Sequence, residues 1–413
     1  MNAARAKNMV VLRDATFVSL LAVLTVQSLR QWVGDRYLVP SGSMEPVLHG
    51  DPVTGDMVFV DKTAQAADRQ RLDLVVVVHP EEPGQQMVKR LAARGDVAAE
   101  CWINIDQGDL WLGDDPNQLQ REQKDPLLAR SMRALWAVAE GRAVVEPRLD
   151  LTACSANGAL PPLASTAEEA RSLLRTRRGN RRGRALPTGC IGTAHAVDAS
   201  CIDATGVHAP VGADVNVTDC GIELDITALD GELLATIDSR AGALTFHWRP
   251  SSGRVVLWRD GVDLASATVR VAAMPAHVEF GLLDGRAFFW LAGEPAAWLV
   301  PLEPRWTAPA PGEAPPPVRT LVHVGCVGKA AGLQWRRLAV FRDVFAWRDP
   351  IVGMPGQPSS WPRNVPPGHW FLLGDSAFDS RDSRQFGPVP AATFLGLPRA
   401  VLGPWPRTRW VGQ

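Results

Sequence analysis

Pro40-Ser41-Gly42-Ser43-Met44-Glu45-Pro46 sets two serines two positions apart on a turn-prone frame of proline and glycine. One hydroxyl can attack a carbonyl while the other, or a backbone N–H beside it, faces the oxyanion that develops. A serine is a weak nucleophile at neutral pH and needs a base. Beyond the apolar run Leu74-Val75-Val76-Val77-Val78, the stretch Met87-Val88-Lys89-Arg90 offers Lys89. A third stretch, Gly374-Asp375-Ser376-Ala377-Phe378-Asp379-Ser380-Arg381-Asp382-Ser383-Arg384, lies near the far end. Taken singly, each has an ordinary reading: turn serines, a surface-strand lysine, and an exposed Asp382–Arg384 pair worth ~0 to 1 kcal/mol. Their order and spacing carry more weight than the residues one by one.

In that order the stretches resemble bacterial type I signal peptidase, the serine/lysine protease that removes signal peptides from exported proteins. The resemblance rests on Ser41 to Leu48 behind an apolar segment, Arg71-Leu72-Asp73 before the valine run, Lys89-Arg90 leading to Gly95-Asp96, and the run from Gly374 to Pro390. It implies a membrane-bound serine endopeptidase in which Ser43 attacks the scissile carbonyl, Lys89 takes and returns the proton, and an acyl-enzyme forms on Ser43. It further implies that the Ser43 N–H and the Ser41 hydroxyl hold the oxyanion, and that Ser380 orients Lys89. Asp375, Asp382 and Arg384 would support the site, and Met44 would line a substrate cleft. The implied partners are signal peptides of exported preproteins, with small side chains at substrate positions -1 and -3, and membrane lipid. The implied location is the cytoplasmic (inner) membrane, single-pass, with the catalytic unit on the extracytoplasmic side. No metal and no cofactor is expected.

Lysine acts as a base only when neutral, and its ordinary pKa of about 10.4 keeps it charged at pH 7. Burial disfavours the charged form by up to ~3 to 5 units. Met87, Val88, Leu91 and Val75 to Val78 supply an apolar setting, and Arg90 and Arg94 would act in the same direction if near. Lys89-Arg90 reaches Gly95-Asp96 through Leu91-Ala92-Ala93-Arg94, one residue fewer than the family's usual five and without its Gly and Pro. A tighter loop after the base is therefore expected. Ser376 replaces a common Asn, and Glu45 and Val47 replace a common Met and Thr.

The chain has 413 residues, enough for two or three domains. A formal net charge of -1 leaves no global field for nucleic acid, and no nucleic-acid partner is expected. The six cysteines form no C-x-x-C pair and no metal-ligand spacing with the eight histidines. In an extracytoplasmic setting Cys190, Cys201 and Cys220 are candidates to pair, with free buried thiols the alternative. His49, His79 and His369 belong to no H-E-x-x-H pattern and read as structural.

The fold class expected is mainly β: an all-β catalytic unit split by an inserted β-sandwich, plus one N-terminal transmembrane helix. Residues 1–35 form a tail and anchor, the uncharged stretch running from Ala15 to Leu29 with Arg5, Lys7 and Arg13 before it. A cleavable signal is the rival reading. Residues 36–117 form the first catalytic part. Residues 118–189 form a helical and Arg-rich connector, with Leu127, Leu128, Met132, Leu135 and Trp136 spaced as one helix face. The arginines of 171–184, with no aromatic among them, read as a solvated loop.

Residues 190–345 alternate as short strands between turns such as Asp230-Gly231, Ser252-Gly253, Asp260-Gly261 and Asp284-Gly285, the mark of a sandwich. Their pattern looks like laminin-G or concanavalin-like jelly rolls, with a ligand the sequence does not name. Residues 346–413 complete the catalytic unit. Two other functions fit parts of the pattern: a membrane-tethered glycan- or protein-binding sandwich on an inactive peptidase frame, and a self-cleaving Ser/Lys repressor-type protease. An anchor and the absence of a helix-turn-helix speak against the repressor.

Overall fold

The computed structural model describes residues 2–96, 99–106, 108–125, 132–140, 143–144, 148–155, 159–176, 189–198, 200–202, 208–209, 217, 219–239, 242–270, 273–292, 298–302, 320–328, 332–343 and 361–411. The chain divides into two compact units. One comprises Met1–Ile103, Gly113–Leu119 and Asp349–Gln413, and the other Asn104–Leu112 and Gln120–Arg348.

The first unit is built on an eight-stranded antiparallel sheet. Its order is Gly34–Leu38, Met57–Asp61, Phe394–Gly403, Leu74–Val78, Gln86–Arg94, His369–Leu373 and Val389–Pro390, with Arg409–Trp410 paired to Phe394–Gly403. A strand from the end of the chain thus lies between two from its beginning, with Phe59 opposite Ala400 and Val77 opposite Phe394. Neither segment closes this sheet alone. Leu74–Val78 is apolar throughout because both of its faces are buried. Leu74 and Val76 enter one apolar cluster with Met44, Leu48, Val58 and Val401, and Val75 and Val77 enter another with Leu91, Trp370 and Leu372.

Lys89 stands opposite Val75, and Arg90 lies between Leu74 and Leu373. The tighter loop expected after the base does not form. Leu91, Ala92, Ala93 and Arg94 continue the strand, and Leu91 and Ala93 pair with Leu372 and Phe371. A run of small and apolar residues serves a buried strand as well as a turn, and here the pairing decides.

The second unit is a sandwich of two seven-stranded sheets. One runs Leu149–Asp150, Cys190–Thr193, Leu321–Val327, Glu232–Ser239, Gly242–Arg249, Arg254–Arg259 and Val262–Thr268. The other runs Trp298–Pro301, Arg286–Leu291, Ala276–Leu283, Cys220–Leu229, Leu333–Arg342, Ala134–Glu140 and Ala143–Val144. Phe246, Trp248 and Val324 of the first share one core with Trp136, Ile222, Phe280 and Leu338 of the second. Asp260-Gly261 and Asp284-Gly285 make two-residue hairpin turns, with φ 54° and 79° in the first and 46° and 72° in the second, whereas Asp230-Gly231 joins strands of different sheets. Positive φ at both positions gives the turn whose twist matches its strands.

Two further expectations are corrected. The helix read within 118–141 is a strand where described, Ala134–Glu140, with Trp136 in the core and Ala139 opposite Val144. Pairing with Leu333–Arg342 overrides the helical spacing, and Leu127 and Leu128 lie outside the described residues. Among the described residues of 118–189 the helix is Ala167–Thr176, capped by the Thr166 hydroxyl accepting from the Glu169 N–H at 3.2 Å. On it Arg171 pairs with Asp263 at 2.6 Å and lies over the Trp258 ring. Arg177, Arg178, Arg181, Arg182 and Arg184 lie outside the described residues.

The N-terminal anchor is the second correction. Asn2–Trp32 is one helix, yet no helix among the described residues is long and apolar enough to cross a membrane. The uncharged stretch from Ala15 to Leu29 rises ~22 Å at ~1.5 Å per residue, short of the ~30 Å hydrocarbon core. Arg30 closes it, held to Asp35 by bonds of 2.9 and 3.2 Å.

Of the cysteines considered for pairing, Cys220 is a buried free thiol and Cys190 is buried. The Cys201 side chain lies outside the described residues.

Candidate active site

Gly42–Met44 forms a single 3-10 turn after the extended residue Ser41, whose φ is -138°. The turn leaves Ser41 exposed and Ser43 half-buried, and drives Met44, at 1% exposure, into the apolar cluster beneath. Ser41 Oγ donates to Ser43 Oγ at 3.5 Å, a long bond. The Ser43 carbonyl accepts the Ser376 N–H at 3.2 Å, which ties the Gly42–Met44 turn to the stretch from Gly374 to Arg384.

Lys89 is 3% exposed, and its Nζ donates to Ser380 Oγ at 2.9 Å. Burial is the largest influence on this amine and lowers its pKa to about 8. The Asp382 charge opposes that shift, and the Arg384 charge adds to it. No hydrogen bond joins Lys89 Nζ to Ser43 Oγ among the described residues.

Gly374 explains how close the pieces come. A Cβ there would fall 2.1 Å from Ser380 Oγ and 2.4 Å from the Ser43 carbonyl oxygen, so only a residue without a side chain lets both approach. Ser380, the partner of Lys89, is therefore packed against the backbone of Ser43.

Two buried ion pairs frame the site. Asp382 accepts from Arg384 at 2.8 and 2.7 Å and from the Gly374 N–H at 2.9 Å. These donors hold its carboxyl below the ordinary range although burial pushes it up. Arg384 also donates to the Ala377 carbonyl at 2.6 Å. Asp375 meets Arg90 in two bonds of 2.6 Å each.

Sequence reasoning missed the Arg90–Asp375 pair. Its signal lies in the sequence, since Lys89-Arg90 and Gly374-Asp375 each place the ionic residue in one of the motif stretches. Arg90 also donates to the Leu72 carbonyl at 2.7 Å, with Leu72 in the left-handed region at φ 71°. A leucine seldom adopts that conformation, and here the Leu72 N–H also donates to the Leu91 carbonyl. Arg94, expected to press on Lys89, pairs instead with Asp96 at 3.0 Å.

The three histidines have local partners. His49 Nδ1 lies 2.7 Å from Glu45 Oε1, His79 Nδ1 accepts the N–H groups of Glu81 and Glu82, and His369 Nδ1 lies 3.0 Å from the Pro367 carbonyl.

The second unit holds a separate charged cluster that sequence reasoning did not find. Asp109, Asp219 and Asp284 bring carboxylate oxygens within 4.8 Å of one another, the arrangement among the described residues that could take a metal ion. Burial and mutual repulsion raise the pKa of Asp109 and Asp219. Protein cations already occupy the cluster: Lys124 Nζ donates to Asp284 at 2.6 Å and to Asp343, and Arg121 Nε lies 3.2 Å from Asp109. Burial lifts Asp343 to about 7. An amine fixed inside a carboxylate group supplies the charge a divalent ion would bring, so the cluster fits an internal ion-pair network better than a metal.

The family described as "Signal peptidase, peptidase S26" matches residues 12–118 and 351–403. Apart from 104–112, which belong to the second unit, the matched residues fall in the first unit. Among curated proteins, the "Signal peptidase I" of Aquifex aeolicus (strain VF5) is 32% identical over 88 residues, covering 21% of this chain and 33% of that protein. The "Mitochondrial inner membrane protease subunit 1" of Schizosaccharomyces pombe is 39% identical over 72 residues, covering 15% and 43%. The chain thus spans about a third of the length of the first of these relatives and under half of the second. A toad ovary galectin in complex with thio-digalactose is similar at a TM-score of 0.21, with 10% identity over 29% of this chain and 88% of that one. That likeness is too loose to say more about the sandwich.

Proposed function

We propose that the chain is a serine endopeptidase that removes N-terminal signal peptides from exported preproteins through a Ser43/Lys89 pair and an acyl-enzyme on Ser43. The observation that carries this reading is the buried Lys89 amine bonded to Ser380, which packs at Gly374 against the Ser43 backbone. With a pKa of about 8, roughly a tenth of the amine is neutral at pH 7, enough to accept the serine proton. For the pair to act, the Ser43 hydroxyl, which accepts from Ser41, directs its own proton to Lys89. The Ser41 hydroxyl is then free to join the Ser43 N–H in holding the oxyanion. Asp375, Asp382 and Arg384 keep the base and its serine in place, and Met44 shapes the floor of the substrate cleft.

We place this activity at a membrane, as the relatives' names suggest. The helix Asn2–Trp32 exposes Phe17, Val18, Leu20, Leu24 and Trp32, each more than half exposed, as an apolar surface for lipid. The test is cleavage of a fluorogenic signal-peptide substrate by the purified full chain. Ser43→Ala and Lys89→Ala should each abolish turnover while leaving the melting temperature within a few degrees or higher. Cleavage retained in either variant ends the proposal.

A second reading has its own observation, the missing Lys89–Ser43 hydrogen bond: a laminin-G or concanavalin-like binding sandwich on an inactive peptidase frame. A wild-type chain that binds the signal peptide and never cuts it supports that reading.

A further inference from the structure

Asp379 is an acid at the mouth of the site that the proposed chemistry does not use. Asp375 and Asp382 are buried against guanidinium groups, whereas Asp379 is exposed and has no ion pair and no side-chain hydrogen bond among the described residues. The neighbouring cation, Arg381, turns away to Glu81 and Glu82, with Glu82 at 3.0 Å. Asp379 is therefore the one charge of this loop left uncancelled.

Its position is set by backbone. The Asp379 N–H donates to the Ser376 carbonyl at 3.3 Å, and the Ser376 N–H donates to the Ser43 carbonyl at 3.2 Å. On the other side, a Cβ built on Gly42, between the two serines, would lie 3.4 Å from Asp379 Oδ2. The carboxylate thus stands beside the peptide that joins Ser41 to Ser43. Its field reaches as far as Lys89, whose charged form it favours.

We propose that Asp379 determines specificity: its carboxylate selects peptides that carry a cationic side chain next to the scissile bond and disfavours those that carry an anionic one. The inference rests on the reading of Ser43 as the acylated residue. A peptide carbonyl bonded to Ser43 passes alongside Gly42. Side chains one or two residues from the cut then lie within a Debye length of Asp379, ~8 Å at physiological salt. At such range, partly screened by water, one unit charge changes the rate roughly three- to thirtyfold.

The experiment uses the full chain and one fluorogenic signal peptide made with Lys, Gln or Glu at the first residue after the cut, and a second such set at position -2. The wild type should prefer Lys over Glu by kcat/KM more than tenfold in one of the sets. That ratio should fall to near one in Asp379→Asn and at 1 M salt, persist in Asp379→Glu, and invert in Asp379→Lys. An equal Lys-to-Glu ratio in the wild type and Asp379→Asn overturns the inference, as does a wild-type ratio near one in both sets. No cleavage of any peptide by the wild type would instead remove the peptidase reading beneath it, which the Ser43→Ala control separates from a failure of charge selection.

Discussion

The Lys89 amine donates to the Ser380 hydroxyl at 2.9 Å, across 291 positions of sequence. A lysine side chain has many rotamers, and this bond selects the one that keeps Nζ at the site. Ser380→Ala should leave the amine buried but unaimed. We expect kcat to fall roughly 10- to 100-fold with KM changed less than twofold, since misplacing a reacting group by about 1 Å costs on that order. A KM effect with kcat intact would mean that Ser380 serves binding instead.

Gly374 faces three atoms at once, Oγ and Cβ of Ser380 and the Ser43 carbonyl oxygen. The hydroxyl can rotate away from an added methyl group, but the Ser43 carbonyl, 2.4 Å from the built Cβ, cannot move without shifting the Gly42–Met44 turn. Gly374→Ala should therefore destabilise the chain by ~1 to 3 kcal/mol, the usual cost of overpacking. It should also lower turnover by roughly 100-fold. Urea melts and steady-state rates would show both, and a fully active, fully stable variant would contradict the geometry.

How much of this was legible in the sequence depends on the kind of contact. Leu74 to Val78 could be recognised as a buried strand because nothing polar interrupts it, and Asp260-Gly261 and Asp284-Gly285 as turns because few other pairs accept positive φ twice. Ala134–Glu140 could not, because Leu135 and Trp136 fit a helix face and their strand partner, Leu333–Arg342, lies two hundred residues away. The same distance hid the Lys124 contacts with Asp284 and Asp343. Motif order singles out Ser43, Lys89 and Ser380, and the structure brings Ser380 to Lys89, while the charge Arg90 would bring to Lys89 if near is met by Asp375.

Breaking that pair is expected to be costly. Arg90 and Asp375 are both nearly inaccessible, so Asp375→Ala leaves a guanidinium in a dry site with only the Leu72 carbonyl for company. A stranded buried charge costs ~3 to 5 kcal/mol, and the chain should lose that much in chemical denaturation. A loss below 1 kcal/mol would show that water reaches Arg90.

The pH profile follows from Lys89. On the proposed mechanism the neutral amine is the active form, so kcat/KM should rise tenfold per pH unit below about 8 and level off above it. Asp382 holds the amine's pKa up and Arg384 pushes it down, so Asp382→Asn should move the acid limb below 8 even as the maximal rate drops. A limb that moves upward would reverse the assigned sign.

The amine that serves activity should cost stability. The folded pKa of about 8 lies below the ordinary value for lysine, so between about 8 and 10.4 the unfolded chain binds more protons than the folded one. Stability contributed by this group therefore rises with pH across that window, and below pH 8 the folded chain carries the full penalty of a dry ammonium. Lys89→Met keeps the bulk, removes the charge and loses only the bond to Ser380. It should stabilise the chain by ~1 to 3 kcal/mol at pH 7, with the gain shrinking toward zero near pH 10. Urea denaturation at pH 7 and pH 9.5 measures the difference. A variant equally destabilised at both would mean that Lys89 is held as a satisfied cation, and with it would go the case for this residue as the base.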